Sequence, residues 1–150
     1  MKKLFIDLKI IGVVHSPYKT TSDVPRRCKK EISKIEIYKE FQLGLKDIEG
    51  FSHLHIYYWL HKSKGYCLEV KTPWDDIPHG VFTTRSPHRP NPIAHTIVEL
   101  VKYRDNTLDV KGLDAIDGTP ILDIKPYVRK FDSKKNTVSG WLEKTDLYRN

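Results

Sequence analysis

Apolar residues recur at every second position along several stretches of this chain, which is the pattern of half-buried β-strands. The clearest stretch is 53–61, where the apolar side is formed by Leu54, Ile56, Tyr58 and Leu60, and the other side by His53, His55, Tyr57, Trp59 and His61. Further strands are predicted at 6–15, 33–38, 93–103, 107–113 and 119–128. Asp105-Asn106 predicts a hairpin turn, and only 43–50 predicts a helical turn, ended by Gly50. Short strands without long helices between them predict a mainly β fold, either an antiparallel barrel or a sandwich.

Two segments interrupt the strands and are rich in turn-forming residues. Residues 16–31 are long for a hairpin loop, and long loops in compact domains are usually functional or mobile. Residues 84–92 contain three prolines, two arginines, a histidine and an asparagine. Because proline fixes φ, this segment presents its side chains stiffly. We therefore expect it to serve either as a rigid surface loop or, as we prefer, as an anion-binding element.

Length and charge narrow the class of protein. The 150 residues suit one domain, 1–150, and the 26 basic and 19 acidic side chains give 26 − 19 = +7. This excess favours a polyanionic partner such as RNA over a neutral one. No apolar run is long enough for a membrane helix, and two cysteines make no disulfide framework, so we expect a cytoplasmic protein. The basic clusters are Arg26, Arg27, Lys29 and Lys30; Lys62 and Lys64; Arg85, His88 and Arg89; and Lys125, Arg129, Lys130, Lys134 and Lys135.

Metal and nucleophilic chemistry have little support in the sequence. His53, His55 and His61 share one strand face, but His61 lies roughly 20 Å beyond His55 at about 3.3 Å per residue. One strand therefore cannot close a zinc site with them, and no metal is expected. Cys28 and Cys67 have no motif that pairs them with a base, and neither a GxxxxGK[ST] nor a GxGxxG loop is present.

Asn91-Pro92, which follows Arg89-Pro90, and the run DGTPILDIKPY (117–127) suggest chemistry on a nucleobase amine. The lone pair of such an amine is delocalised into its ring, and a fixed Asn or Asp acceptor localises it and aims it at an electrophile. Proline stiffens both turns, and Tyr127 offers a ring for stacking. Asn91, Asp123 and Tyr127 are therefore the candidate catalytic residues, although both turns also suit ordinary loops.

Four ordered blocks of the chain resemble one known family. They are IGVVHSPY (11–18) followed by VPRR (24–27), GLKDIEGFSHLHIYYWLHKS (44–63), GVFTTRSPHRPNPI (80–93) and IDGTPILDIKPYV (116–128). Together they resemble the TrmO/TsaA-like family of S-adenosylmethionine-dependent tRNA adenine-N6 methyltransferases, in its short single-domain form. The resemblance implies a small antiparallel β-barrel with long functional loops and little helix, working as a homodimer with the cofactor near the subunit interface.

The resemblance also implies a substrate and a cofactor site. The substrate is threonylcarbamoyladenosine beside the anticodon of threonine tRNA, bound through the anticodon stem-loop and methylated on N6. The residues that match cofactor-binding positions of the family are Pro25, Arg26, Arg27, His61, Lys62, Arg89, Leu122, Asp123, Ile124, Lys125 and Pro126. Arginines suit the methionine carboxylate of the cofactor, and Asp123 suits its ribose, amino group or adenine.

This chain departs from the family pattern at two places. Ala94-His95-Thr96 follows RPNPI where the family usually has Gly, an apolar residue and Ser, and Arg27 replaces the usual Gln. Many bacterial members also have a C-terminal domain beyond the part matched here. Two other functions stay open at this point: a non-catalytic β-barrel that binds RNA or the cofactor, and a methyltransferase for another acceptor.

Overall fold

A computed structural model of the chain describes residues 3–25 and 30–149. Over this part of the chain the fold is mainly β, and its helices are 3₁₀ turns or single α-turns. The strands are β1 (Gly12–His15), β2 (Ile32–Ile37), β3 (His53–Trp59), β4 (Glu69–Thr72), β5 (Asp75–Gly80), β6 (Ile93–Arg104), β7 (Thr107–Lys111) and β8 (Pro120–Pro126). The 3₁₀ helices are Lys39–Leu45, Ile48–Gly50, Val81–Thr83 and Gly140–Lys144, and the α-helices are α1 (Arg129–Asp132) and α2 (Asp146–Arg149). Within the same residues, no helix is both long and apolar enough to cross a membrane.

Six strands close an antiparallel barrel in the order β1-β2-β7-β6-β3-β8. As the alternation in the sequence predicts, about every second side chain of a strand faces the interior of the barrel. Among these interior residues, the fully buried ones include Val14, Ile35, Ile56, Leu108 and Ile121. The prediction of a small antiparallel barrel is confirmed. The barrel belongs to the first of two compact units, formed by the chain up to His61 and by Ile93–Tyr127.

The second unit contains Lys62–Pro92 and the chain from Val128 onward. Its sheet is the β4-β5 hairpin, which the sequence analysis missed. His79 on β5 stacks on Trp141 at 3.6 Å between ring centroids, and its Nε2 lies 3.0 Å from a carboxylate oxygen of Asp75. The indole N–H of Trp141 donates to the carbonyl oxygen of Thr83. These contacts fix the Gly140–Lys144 turn against the segment that leads into loop 84–92.

The predicted boundaries differ from the structure most at 6–15 and at 43–50. The strand predicted at 6–15 begins only at Gly12, because none of the strands in the described residues pairs with residues 4–10 to supply a hydrogen-bond ladder. The helical turn predicted at 43–50 is two 3₁₀ helices that begin at Lys39, although Gly50 does end the second. Leu45 and Ile48 are buried against the core, so packing rather than local propensity sets this geometry.

An interlock at one end of the barrel joins two of the sequence blocks, HSPY (15–18) and DGTP (117–120). Asp117 accepts hydrogen bonds from the Ser16 N–H at 3.0 Å and from the Lys19 ammonium at 2.8 Å. The Asp117 N–H in turn donates to the Tyr18 carbonyl, and the Gly118 N–H to Val14. Gly118 has φ of +79°, which favours glycine. This turn therefore holds the start of β8 against the end of β1.

Candidate active site

The sequence-predicted residues of β8 lie beside β3, immediately after an irregularity in their pairing. Asp123 is opposite Tyr57 and Ile124 opposite Ile56, but the next pair is Tyr58 with Ile121. Leu122 is the extra residue, so the strand is bulged there. Bulges re-aim side chains and are frequent next to active sites. The bulge lets Ile121 remain buried in the core while Asp123 lies on the outer face of the barrel.

Asp123 is held by two contacts and remains half exposed. Its Oδ1 accepts the N–H of Ile124 at 2.9 Å, and its Oδ2 lies 2.9 Å from the Lys125 ammonium. The hydrogen bond and the charge of Asp123 raise the pKa of Lys125, which stays a cation. A carboxylate has about four lone-pair positions, so two contacts leave Asp123 free to accept more. The arrangement is a fixed acceptor beside a fixed cation.

Four rings form a ring column on the same outer face: Tyr57, His95, His55 and Tyr127, in that order. The centroids of neighbouring rings are 4.8, 5.0 and 5.6 Å apart, and their planes are inclined to each other by 22, 18 and 25°. His55 and His95 also share a hydrogen bond of 2.7 Å between Nδ1 and Nε2. Tyr127, predicted to stack on a base, thus stacks on His55, and the column lies alongside Asp123 and Lys125 through the β3–β8 pairing.

The residue after His95 anchors the column to the barrel. Thr96 donates to Asp114 at 2.6 Å, and the buried Tyr58 hydroxyl donates to the same carboxylate oxygen at 2.8 Å. These bonds connect β3, β6 and the segment before β8. His95 thus supplies one ring of the column, and Thr96 supplies one member of this network.

Loop 84–92, in the second unit, is braced by its own hydrogen bonds. The Arg89 guanidinium donates through Nη1 to the carbonyl oxygens of Thr84 at 3.1 Å and Ser86 at 3.3 Å. The Ser63 hydroxyl donates to the Pro87 carbonyl at 2.7 Å. Arg89 thus keeps only part of its donor fork for a ligand. Asn91 is exposed, and among the described residues nothing hydrogen-bonds to its side chain.

The other predicted residues are distributed as follows. Pro25 and Lys62 are exposed, His61 is half-buried directly after β3, and Leu122 and Ile124 are half-buried on β8, where Pro126 is exposed. Arg26 and Arg27 lie outside the described residues. His61 and the β8 residues belong to the first unit, whereas Lys62, Arg89 and Asn91 belong to the second.

Sequence reasoning missed two functional candidates, Tyr57 and His95. For Tyr57 the sequence did carry a signal, because this residue alternates with the core residues of β3 and is therefore expected on the outer face of the strand. Nothing in the sequence showed that His95 is its cross-strand neighbour, because the two are 38 residues apart and only the β3–β6 register pairs them.

These features define a small closed antiparallel barrel with a polar and aromatic site on the outer face of β8 and β3. Residues 13–133 match the family model of the tRNA-methyltransferase O N-terminal domain. The chain belongs to this family, and the resemblance seen in the four sequence blocks is confirmed.

Individual relatives agree with this assignment. A probable S-adenosyl-L-methionine-binding protein of Archaeoglobus fulgidus is 49% identical over 145 residues, which are 95% of this chain and 40% of that protein. A tRNA (adenine(37)-N6)-methyltransferase of Mus musculus is 37% identical over 136 residues, 84% of this chain and 32% of the mouse protein. A crystal structure of TrmO superposes with a TM-score of 0.78 at 30% identity, covering 91% of this chain and 64% of that one. The chain thus spans less than half the length of the Archaeoglobus fulgidus and Mus musculus relatives.

Proposed function

We propose that this protein is an S-adenosylmethionine-dependent tRNA adenine-N6 methyltransferase. The observation that carries the proposal is the half-exposed Asp123 carboxylate, fixed by the Ile124 N–H and the Lys125 ammonium in the block that the family model matches. A rigid acceptor of this kind suits both the cofactor and the amine of a nucleobase. Relatives named as S-adenosyl-L-methionine-binding proteins and as tRNA methyltransferases support the cofactor and the substrate class.

The donor and acceptor set of these residues fits the cofactor. Asp123 offers a carboxylate for ribose hydroxyls or the amino group, and Leu122 and Ile124 offer apolar contacts. Lys62 and Arg89, with Arg26 and Arg27, offer cations for the methionine carboxylate. Pro25, His61, Lys125 and Pro126 complete the proposed cofactor-binding set. When bound, the cofactor supplies a methyl group on a positively charged sulfur.

The proposed reaction is an in-line displacement at that methyl. Asp123 would accept a hydrogen bond from the N6 amine, so that the lone pair of the amine is available for the new N–C bond as the S–C bond of the cofactor breaks. Asn91, on loop 84–92 of the second unit, is a further candidate acceptor for such an amine. In such a transfer the amine would lose one proton to water, and the spent cofactor would be released as a neutral thioether. Tyr127 stacks on the acceptor base, which is extruded from the RNA. Orientation and exclusion of water provide the rate enhancement.

The charge distribution supports RNA as the substrate. Residues 62–92 and 128–150 contain 11 Lys or Arg and 6 Asp or Glu, which gives 11 − 6 = +5. Since the whole chain has a net charge of +7, the first unit, although longer, has a net charge of only 7 − 5 = +2. Lys134 and Lys135 are exposed on the second unit, where they are available for phosphates of the anticodon stem-loop. We propose threonylcarbamoyladenosine of threonine tRNA as the acceptor and the cytoplasm as the location.

We also propose that the enzyme works as a homodimer. On the outer face of β6, Ile93 and Ile97 are exposed on either side of His95. An apolar row beside the ring column favours a protein partner, and a second copy would bring its own row. Such a dimer would place the Leu122–Pro126 segment close to the interface, as the family resemblance implies.

The test is methyl transfer followed by nucleoside mass spectrometry, using tRNA that lacks the mark. A gain of one methyl on threonylcarbamoyladenosine is expected. Asp123→Asn and Asn91→Ala should each lower kcat by about 10²-fold or more, whereas Asp105→Asn, an exposed carboxylate in the β6–β7 turn, should leave it unchanged. Equal activity of Asp123→Asn and Asp105→Asn would remove Asp123 from the site.

The alternatives give different results in the same assay. Binding of the cofactor without methylation of tRNA points to another acceptor, and binding of RNA without any methyl transfer points to a binding protein. Lys134→Glu and Lys135→Glu together should weaken tRNA binding. They should also make the slope of the logarithm of the binding constant against the logarithm of the salt concentration shallower, by about 0.9 for each phosphate contact that is lost. An unchanged salt slope would contradict the proposed RNA contact.

A further inference from the structure

Residues 129–138, which follow β8 in the chain, are exposed along their whole length and are called the basic segment here. Their first turn, α1, is nevertheless closed. The N–H groups of Phe131 and Asp132 donate to the carbonyl oxygen of Val128 at 2.8 and 2.9 Å, and the Asp132 carboxylate accepts the Val128 N–H at 2.7 Å. The turn is therefore held by its own hydrogen bonds, although none of its residues is buried.

The basic segment carries positive charge that the described part of the chain does not neutralise. It contains four basic residues and one acidic residue, which gives 4 − 1 = +3. Its single carboxylate, on Asp132, is the one that accepts the Val128 N–H. Within the described residues, no ion pair joins the basic side chains of the segment to an acidic one. The cations available to an anion are Arg129, Lys130, Lys134 and Lys135.

Phe131 presents an aromatic ring in the middle of these charges. It is 66% exposed, and no other ring in the described part of the chain stacks on it. Two basic residues precede it and two follow it within four positions. Because α1 fixes the backbone at Phe131, a ligand that covers the ring does not first have to order the chain.

An unpaired RNA base fits this combination better than a protein or a membrane does. The buried centre of a protein interface is depleted of lysine. A helix that lies on a membrane needs an apolar face, whereas Phe131 is the only apolar residue of α1. Proteins bind single-stranded nucleic acid by stacking its bases on aromatic rings beside cations that contact the phosphates. The ring and the cations of the basic segment provide both parts.

We propose that Phe131 stacks on an unpaired base of the RNA substrate and that the basic segment holds the phosphates on either side of that base. This base is not the acceptor, which the proposed function assigns to Tyr127. An acceptor beside the anticodon has unpaired neighbours, because the anticodon must be free to pair with a codon. The inference rests on the proposed function and specifies a second contact with the same RNA.

Binding of a fluorescently labelled anticodon stem-loop, measured by anisotropy, tests the stack. Phe131→Leu keeps the charge but removes the ring, so the dissociation constant should rise at least about fivefold while its salt dependence stays unchanged. Phe131→Trp keeps a ring and should bind as tightly as wild type. Val138→Ala is the matched control, because Val138 lies in the same segment and is 79% exposed but has no ring. Equal affinities for wild type, Phe131→Leu and Val138→Ala would overturn the proposal.

A fluorescent base analogue locates the contact. 2-Aminopurine replaces one loop base at a time, and stacking on a ring quenches its fluorescence. We expect the wild-type protein to quench it at a loop position other than the acceptor, and Phe131→Leu to lose that quenching. Quenching that is identical in both proteins at every position would contradict the stack.

Methyl-transfer kinetics and sedimentation separate this inference from the proposed function. Phe131→Leu should raise KM for tRNA at least about fivefold with kcat unchanged, because the ring contacts a base that does not react. An active wild-type protein and an unchanged KM in Phe131→Leu would remove the stack and leave the proposed function intact. A Phe131→Leu variant that binds RNA normally but dimerises more weakly would also overturn the stack and assign the ring to a subunit contact. A wild-type protein that neither binds nor methylates tRNA would overturn both proposals.

Discussion

Asp117 should contribute to stability mainly through the buried Ser16 N–H and only slightly through its ion pair with Lys19. In Asp117→Ala the Ser16 N–H, in a residue only 7% exposed, loses its acceptor. An unsatisfied buried donor costs about 1–3 kcal/mol. The ion pair is largely exposed on the lysine side and adds at most about 1 kcal/mol. Asp117→Asn keeps an oxygen for Ser16, so it should cost no more than about 1 kcal/mol.

Thermal unfolding distinguishes the two substitutions. A loss of about 2–3 kcal/mol lowers Tm by about 5–10 °C in a chain of this size, whereas Asp117→Asn should lower it by less than about 4 °C. Equal losses for both variants would show that the ion pair, and not the Ser16 N–H, holds the interlock, and the reasoning would be refuted.

The pH dependence provides a second check on the same residue. Hydrogen bonds from Lys19 and from the Ser16 N–H lower the pKa of Asp117. A carboxyl group with a lowered folded-state pKa stabilises the fold fully above its unfolded-state pKa, about 3.9, and loses that contribution as the pH falls through the folded-state value. The stability difference between wild type and Asp117→Asn should therefore be constant at neutral pH and shrink below about pH 4.

Two further substitutions test the packing that positions the site. A Cβ at Gly12 would overlap the Glu36 carbonyl oxygen. Gly12→Ala should therefore lower the free energy of unfolding, measured by urea titration, by about 1–3 kcal/mol. Gly44→Ala is the control, because a Cβ at Gly44 would meet open space. Trp141→Leu removes the stack on His79 and should expose loop 84–92 to proteolysis more than it lowers the barrel's Tm. Uniform destabilisation of both units would contradict this.

The sequence alone identified most of the barrel and little of the second unit. Alternation predicted β3 because one face of that strand is buried against the core and the other is not. The β4-β5 hairpin has no such alternation: most of β5 is exposed, and Pro73 and Pro78 interrupt the run. Its strands exist because each supplies the other's hydrogen bonds, which is a property of the pair and not of either segment.

What the sequence determined by itself is therefore the set of local elements and, through its four ordered blocks, the family. The period of two decides which side chains of a strand share a face, and it needs no knowledge of the neighbouring strand. Only the tertiary structure decided that His95 stacks between Tyr57 and His55, that a bulge at Leu122 turns Asp123 outward, and that β1 begins at Gly12. Each of these depends on strand register, which is fixed by hydrogen bonds and packing between segments far apart in the chain.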